Sequence, residues 1–125
     1  MFDWTRFLRF ADDILDNEDQ DEARSRSAIS RAYYAAFHHG RRYVEMNFPE
    51  VSIAKHGGAH EDVVNALKQQ NRAGPVRSAG AKLERLKRAR KNADYGHGTL
   101  TRHHSDAQQA ILDAKWVLKQ LSLGD

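Results

Sequence analysis

Hydrophobic side chains recur at steps of three and four residues along most of this chain, which is the spacing of one face of an α-helix. The first such stretch spans residues 2–16, where the periodic positions are Phe7, Phe10, Ala11, Ile14 and Leu15. Their alignment predicts a first helix with a single apolar stripe facing a core.

A longer periodic stretch covers residues 20–47 and differs from the first in the size of its side chains. Its apolar face carries Ala28, Ile29, Ala32, Tyr33, Ala36, Phe37, Gly40 and Val44. The alanines and the glycine let a neighbouring backbone come close, while the aromatic rings supply the volume that a small core needs. This stretch is therefore predicted to be the central helix of the molecule.

Three more helices are predicted from the same periodicity and from the turn residues between them. They cover residues 59–70, a segment from Pro75 to about Tyr95, and a segment that follows Ser105 and Asp106 and runs to about Leu121. A loop from Asn47 to Gly58 separates the second helix from the third. No strand pattern competes, and 125 residues is a common length for one domain. Residues 1–125 are therefore predicted to form a single all-α helical bundle of about five helices.

The composition indicates the cellular compartment in which we expect the protein. Cysteine is absent, which excludes disulfides and thiolate metal sites and fits a reducing compartment. No apolar run approaches the ~18 residues that a membrane span requires. The segment from Met1 to Arg6 contains an acid where a secretion signal would be basic. We expect a cytoplasmic protein that does not associate with a membrane.

The net charge is only +3, but the charges are unevenly placed along the chain. An acidic block contains Asp12, Asp13, Asp16, Glu18, Asp19, Asp21 and Glu22. A basic block contains Lys82, Arg85, Lys87, Arg88, Arg90, Lys91 and Arg102. A basic helix is either a solvated face or a surface for a polyanion, and nucleic acid is the commonest polyanion. Lys87 and Lys91 are the candidate RNA-binding residues in this block.

Three strings in the chain resemble the three sequence signatures of the HEPN superfamily, in its Arg-x-x-Ala-Asp-Tyr form. They are SRAYYAAFH at 30–38, KHG at 55–57 and RKNADYG at 90–96. The resemblance implies an up-and-down helical bundle that forms a homodimer. It also implies a protein that is often encoded beside a nucleotidyltransferase and often acts as a toxin or defence ribonuclease, so RNA and a nucleotidyltransferase-type antitoxin are the expected partners.

Active HEPN proteins carry an Arg followed within a few residues by a His, and this chain has Arg90 followed, after six residues, by His97. RNA can be cut without a metal when a base, an acid and a cation surround one phosphate, and His and Arg supply these groups. Arg90 and His97 are therefore the candidate catalytic residues, with no cofactor. Asp94, also a catalytic candidate, could orient Arg90, could contact His97, or could form a simple intrahelical ion pair.

Two further residues carry weaker indications of function. In HEPN toxins paired with a nucleotidyltransferase, the partner can adenylylate a Tyr just after the His, but here that position is Thr99 and Tyr95 precedes His97. Tyr95 is then either a binding residue or a ring that packs at the helix end. His56 could meet RNA from the loop, or could be a packed or solvated histidine.

His56 and His60 have the four-residue spacing of metal ligands on a helix. Two glycines lie between them and no further ligand pattern follows, so we expect no metal site.

Two alternative functions remain open. One is a catalytically silent HEPN module that binds a nucleotide or a nucleotidyltransferase subunit, and the other is an unrelated helical binder of nucleic acid. The chain has no helix-turn-helix pattern, which counts against the unrelated nucleic-acid binder.

Overall fold

A computed structural model describes residues 4–15, 21–55, 57–69, 74–95 and 102–122, and this part of the chain contains five helices and no strand. The helices are α1 (Trp4–Leu15), α2 (Glu22–Asn47), α3 (Ala59–Gln69), α4 (Pro75–Tyr95) and α5 (His103–Gln120). The predicted all-α class and the five predicted helices are confirmed. None of the described helices is long and apolar enough to cross a lipid bilayer.

Helix α2 lies at the centre and packs against each of the other four helices. Its small residues make this possible, since Ala28, Ala32 and Ala36 are completely buried. A Cβ atom added to Gly40 would lie 3.1 Å from Cδ1 of Leu83 on α4, closer than most carbon atoms approach. The predicted role of α2 as the central helix is confirmed, and glycine at position 40 lets α4 pack closely against it.

The apolar face of α1 differs from the predicted stripe at two positions, since it includes Leu8 and leaves out Phe10. Leu8, Ala11 and Leu15 are its buried residues, whereas Phe10 is 51% exposed. The guanidinium carbon of Arg31 lies 4.8 Å from the centre of the Phe10 ring, so this ring contacts a cation at the surface instead of the core.

Helix α5 begins earlier than the sequence pattern predicts. Its first residue is His103, so Ser105 and Asp106 lie inside the first turn and do not precede the helix. The backbone N–H of Asp106 donates to the carbonyl of Arg102 at 2.8 Å, which closes that turn. His103 Nδ1 also lies 2.8 Å from Ser25 Oγ, and this contact joins the start of α5 to α2.

Candidate functional site

Arg90 lies on α4 and its guanidinium rests against two tyrosines of α2. Its Nε donates to Asp94 Oδ2 at 2.9 Å, and one terminal nitrogen donates to the Tyr34 hydroxyl at 2.8 Å. The central carbon lies 5.2 Å from the centre of the Tyr34 ring and 5.7 Å from that of Tyr33. The Arg90 side chain is 19% exposed, so this cation is held in one orientation at the edge of the bundle.

Asp94 follows Arg90 by one helical turn and is tied to α2 as well. Ser30 Oγ lies 3.4 Å from the same carboxylate oxygen that accepts from Arg90. The arrangement agrees with two of the roles considered for Asp94, because an orienting carboxylate and an intrahelical ion pair have the same geometry. His97, which the third role requires, lies outside the described residues.

Arg26 on α2 hydrogen-bonds to the C-terminal end of α4, the helix that carries Arg90 and Asp94. One of its terminal nitrogens donates to the carbonyl oxygens of Asn92 at 3.0 Å and Ala93 at 2.7 Å. Its Nε donates to Glu22 at 2.9 Å. The last carbonyls of a helix have no partner within that helix, and a cation there is favoured by the helix dipole. Arg26 therefore caps α4, a role that the sequence analysis did not assign.

Beneath Arg90 lies a buried tyrosine–histidine pair that sequence reasoning also missed. The Tyr33 hydroxyl and His60 Nδ1 are 2.9 Å apart and join α2 to α3. Burial raises the pKa of Tyr33 to about 12 and lowers the pKa of His60 to about 4. Both groups are therefore neutral at physiological pH.

The two candidate RNA-binding lysines lie on the side of α4 that faces α3. Lys87 Nζ donates to Glu61 Oε1 at 2.7 Å. Lys87 and Lys91 both line a cleft between α3 and α4 whose wall includes His60. Tyr33 connects this cleft to Arg90, since its ring lies below the guanidinium and its hydroxyl bonds to His60. The structure thus brings Lys87, Arg90, Lys91 and Asp94 to one region of the surface.

The other predicted site residues are His56, Tyr95 and His97. His56 and His97 lie outside the described residues, as does Thr99. Tyr95 is the last residue of α4. No group of three or more His, Asp or Glu side chains that could hold a metal ion occurs among the residues that the structure describes.

The cations of the basic block do not all lie on one side of α4. Arg85 makes two hydrogen bonds to Asp113 of α5, at 2.8 Å and 2.6 Å, and Lys82 lies 3.7 Å from the same carboxylate. Asp113 is buried, and its hydrogen bond raises the pKa of Arg85. Helix α4 therefore directs these two cations towards α5, away from the α3 side where Lys87 and Lys91 lie.

Comparisons of the chain with family models, with curated proteins and with solved structures find no match in any of the three. The function must therefore be inferred from the chain's own residues.

Proposed function

We propose that this protein is a metal-independent endoribonuclease of the HEPN type, with Arg90 and His97 from two copies of the chain in one catalytic site. The observation that carries the proposal is the fixed position of the Arg90 guanidinium, which Asp94 and Tyr34 hold beside two lysines. An Arg guanidinium matches phosphate oxygens bidentately and keeps its charge at every relevant pH. A cation with a fixed orientation stabilises a charge that develops in the transition state.

The proposed reaction uses the RNA's own 2′-hydroxyl as the nucleophile. A base removes the hydroxyl proton, the oxygen attacks the adjacent phosphorus, and the bond from phosphorus to the 5′-oxygen breaks as an acid protonates that oxygen. His97 can serve in either proton-transfer role near neutral pH. Arg90 stabilises the phosphorane between these steps. The products are a 2′,3′-cyclic phosphate and a free 5′-hydroxyl.

A homodimer is part of the proposal because each chain supplies only one catalytic Arg and one catalytic His to the site. On an unbroken helix, residues seven positions apart lie about 10 Å from each other, too far to act on one phosphate. A two-fold axis near the end of α4 would bring a second Arg90 and a second His97 into the same groove. A toxin or defence role, with a nucleotidyltransferase-type antitoxin as partner, follows from the HEPN resemblance.

One observation favours the alternative of a catalytically silent module that binds a nucleotide or a nucleotidyltransferase. Arg90 already bonds to Asp94 and Tyr34 of its own chain, which is also how a purely structural arginine would be held. The two functions differ in whether the purified protein cuts RNA.

The proposal is tested by incubating the protein with single-stranded RNA in excess EDTA and analysing the new 3′-ends. We expect cleavage with 2′,3′-cyclic phosphate ends, and no cleavage of the matched 2′-deoxy strand, because the nucleophile is then missing. Cleavage that stops on chelation, or that proceeds on the deoxy strand, would contradict this mechanism. RNA left intact by a folded protein would favour the silent module.

A further inference from the structure

The cleft between α3 and α4 has a volume of about 230 Å³ and contains features that the proposed catalytic chemistry does not use. Gly80 lets the two helices approach closely, since a Cβ atom there would lie 2.8 Å from Lys68 Cγ. A volume of this size is below that of typical drug-sized ligand sites and suits one small group, such as a phosphate. The charged side chains along it are Glu61, Glu84, Lys87, Arg88 and Lys91.

His60 is a buried polar side chain in the wall of this cleft, with a relative exposure of 9%. Within the described residues, the one hydrogen bond of the Tyr33 hydroxyl is to His60 Nδ1. The hydroxyl proton therefore points to Nδ1, because the opposite arrangement would leave a buried O–H without an acceptor. A neutral imidazole that accepts at Nδ1 carries its proton at Nε2. Burial lowers the pKa of His60 to about 4, so the ring is neutral at pH 7.

The Nε2–H of His60 is one donor that the cleft offers to a ligand. No hydrogen bond to Nε2 occurs among the described residues, and His60 is one of the residues that line the cleft. Nε2 is not one of the described polar atoms that are both fully buried and without a partner, so a ligand in the cleft can reach it. This donor suits a ligand that brings an acceptor oxygen.

The charges around the cleft favour an anion as that ligand. Glu61 is paired with Lys87, and Glu84 is paired with Lys68 of α3. Arg88 and Lys91 have no ion-pair partner within the described part of the chain. Each carboxylate is thus neutralised by its own lysine, and two cations remain in excess. An oxyanion would gain both attraction and a hydrogen bond here.

We propose that the α3/α4 cleft binds a backbone phosphate of RNA, with His60 Nε2–H donating to a phosphate oxygen and Lys91 and Arg88 supplying the positive charge. The inference rests on the proposed ribonuclease function and extends it. Lys87 and Lys91 flank Arg90 within one turn of α4, so this phosphate would neighbour the one at Arg90. The cleft would then set where along the strand cleavage occurs.

Two substitutions separate the donor from the contact with Tyr33. In His60→Asn, the shorter amide replaces Nδ1 beside Tyr33 but leaves no group at the position of Nε2. In His60→Gln, the amide nitrogen reaches the Nε2 position and keeps a donor in the cleft. Binding is measured by fluorescence anisotropy with a single-stranded oligodeoxynucleotide, which carries the phosphates but cannot be cut. The same titration with ATP tests free-nucleotide phosphate as the source.

We expect His60→Asn to bind the oligonucleotide about tenfold more weakly and His60→Gln to bind it within about twofold of the wild type. In the wild type, the His60 Nε2–H resonance should shift on oligonucleotide addition, a readout that needs no variant. Wild-type affinity in His60→Asn, or equal losses in both variants, would overturn the role of the donor. A shift with ATP but not with the oligonucleotide would overturn RNA as the ligand. Absence of RNA cleavage by the wild type would refute the nuclease without altering these binding results.

Discussion

His60 shows how one buried side chain couples the stability of the bundle to pH. Its pKa falls from the ordinary 6.5 to about 4 because burial disfavours the charged ring. The unfolded chain takes up a proton below about pH 6.5, whereas the folded chain does so only near pH 4. The free energy of unfolding should therefore decrease as the pH falls through this window, by on the order of 3 kcal/mol.

Thermal unfolding at several pH values, monitored by circular dichroism, checks this expectation. The melting temperature of the wild type should fall from pH 7 to pH 4.5, and that of His60→Asn should fall less. Part of the dependence should remain in the variant, because burial also lowers the pKa of His38 and of His39. Identical pH dependence in the two proteins would show that His60 titrates normally.

At the scale of the helices, the end of α4 depends on a residue of α2. Replacing Arg26 with Ala removes two hydrogen bonds to the last carbonyls of α4 and one to Glu22. We expect a loss of about 2 kcal/mol in the free energy of unfolding and faster amide exchange in the last turn of α4. Arg24→Ala, on the same helix, is the matched control, because Arg24 has no ion pair among the described residues.

Chemical denaturation and hydrogen exchange measure these two effects. Arg24→Ala should keep the wild-type stability to within about 0.5 kcal/mol. Exchange in the last turn of α4 that is equally slow in Arg26→Ala and in the wild type would show that this arginine does not cap the helix.

The helices could be predicted from sequence because their signal is local. Apolar residues of α2 and α4 repeat every three or four positions, and this period depends only on near neighbours. The polar contacts that shape the site could not be predicted in the same way. Tyr33 and His60 are 27 positions apart, and Arg85 and Asp113 are 28 apart, so their pairing depends on how helices pack.

A weaker signal for these polar contacts was present in the sequence. His60 has the helical spacing of the buried residues Val63, Val64 and Leu67, and Asp113 lies among Ala110, Ile111 and Ala114. A polar residue on an apolar stripe indicates a buried polar contact, although it does not identify the partner. The early start of α5 had no such signal, because Arg102 forms no side-chain cap and Ser105 resembles one.

At the scale of the whole molecule, the proposed composite site requires two copies of the chain. Sedimentation at micromolar concentration should show a species of twice the 14.3 kDa chain mass. Dilution should release the single chain together with a loss of cleavage rate, because the two halves of the site separate. A species of 14.3 kDa that cuts RNA at full rate would contradict the composite site, even if Arg90→Ala proves inactive.

The most direct test of the catalytic site compares single-turnover RNA cleavage by the wild type, Arg90→Ala, His97→Ala and the control Arg77→Ala. Arg77 is an exposed arginine on the same helix as Arg90, so the control removes the same charge away from the tyrosines. Arg90→Ala and His97→Ala should each lower the rate by ~10²- to 10⁴-fold. Both variants should keep native helicity and dimer mass, and the cleavage rate of Arg77→Ala should stay within about threefold of the wild-type rate.

Wild-type cleavage by a folded Arg90→Ala or His97→Ala protein would contradict the proposed site. Unfolding of Arg90→Ala would instead show that Arg90 is a structural partner of Asp94.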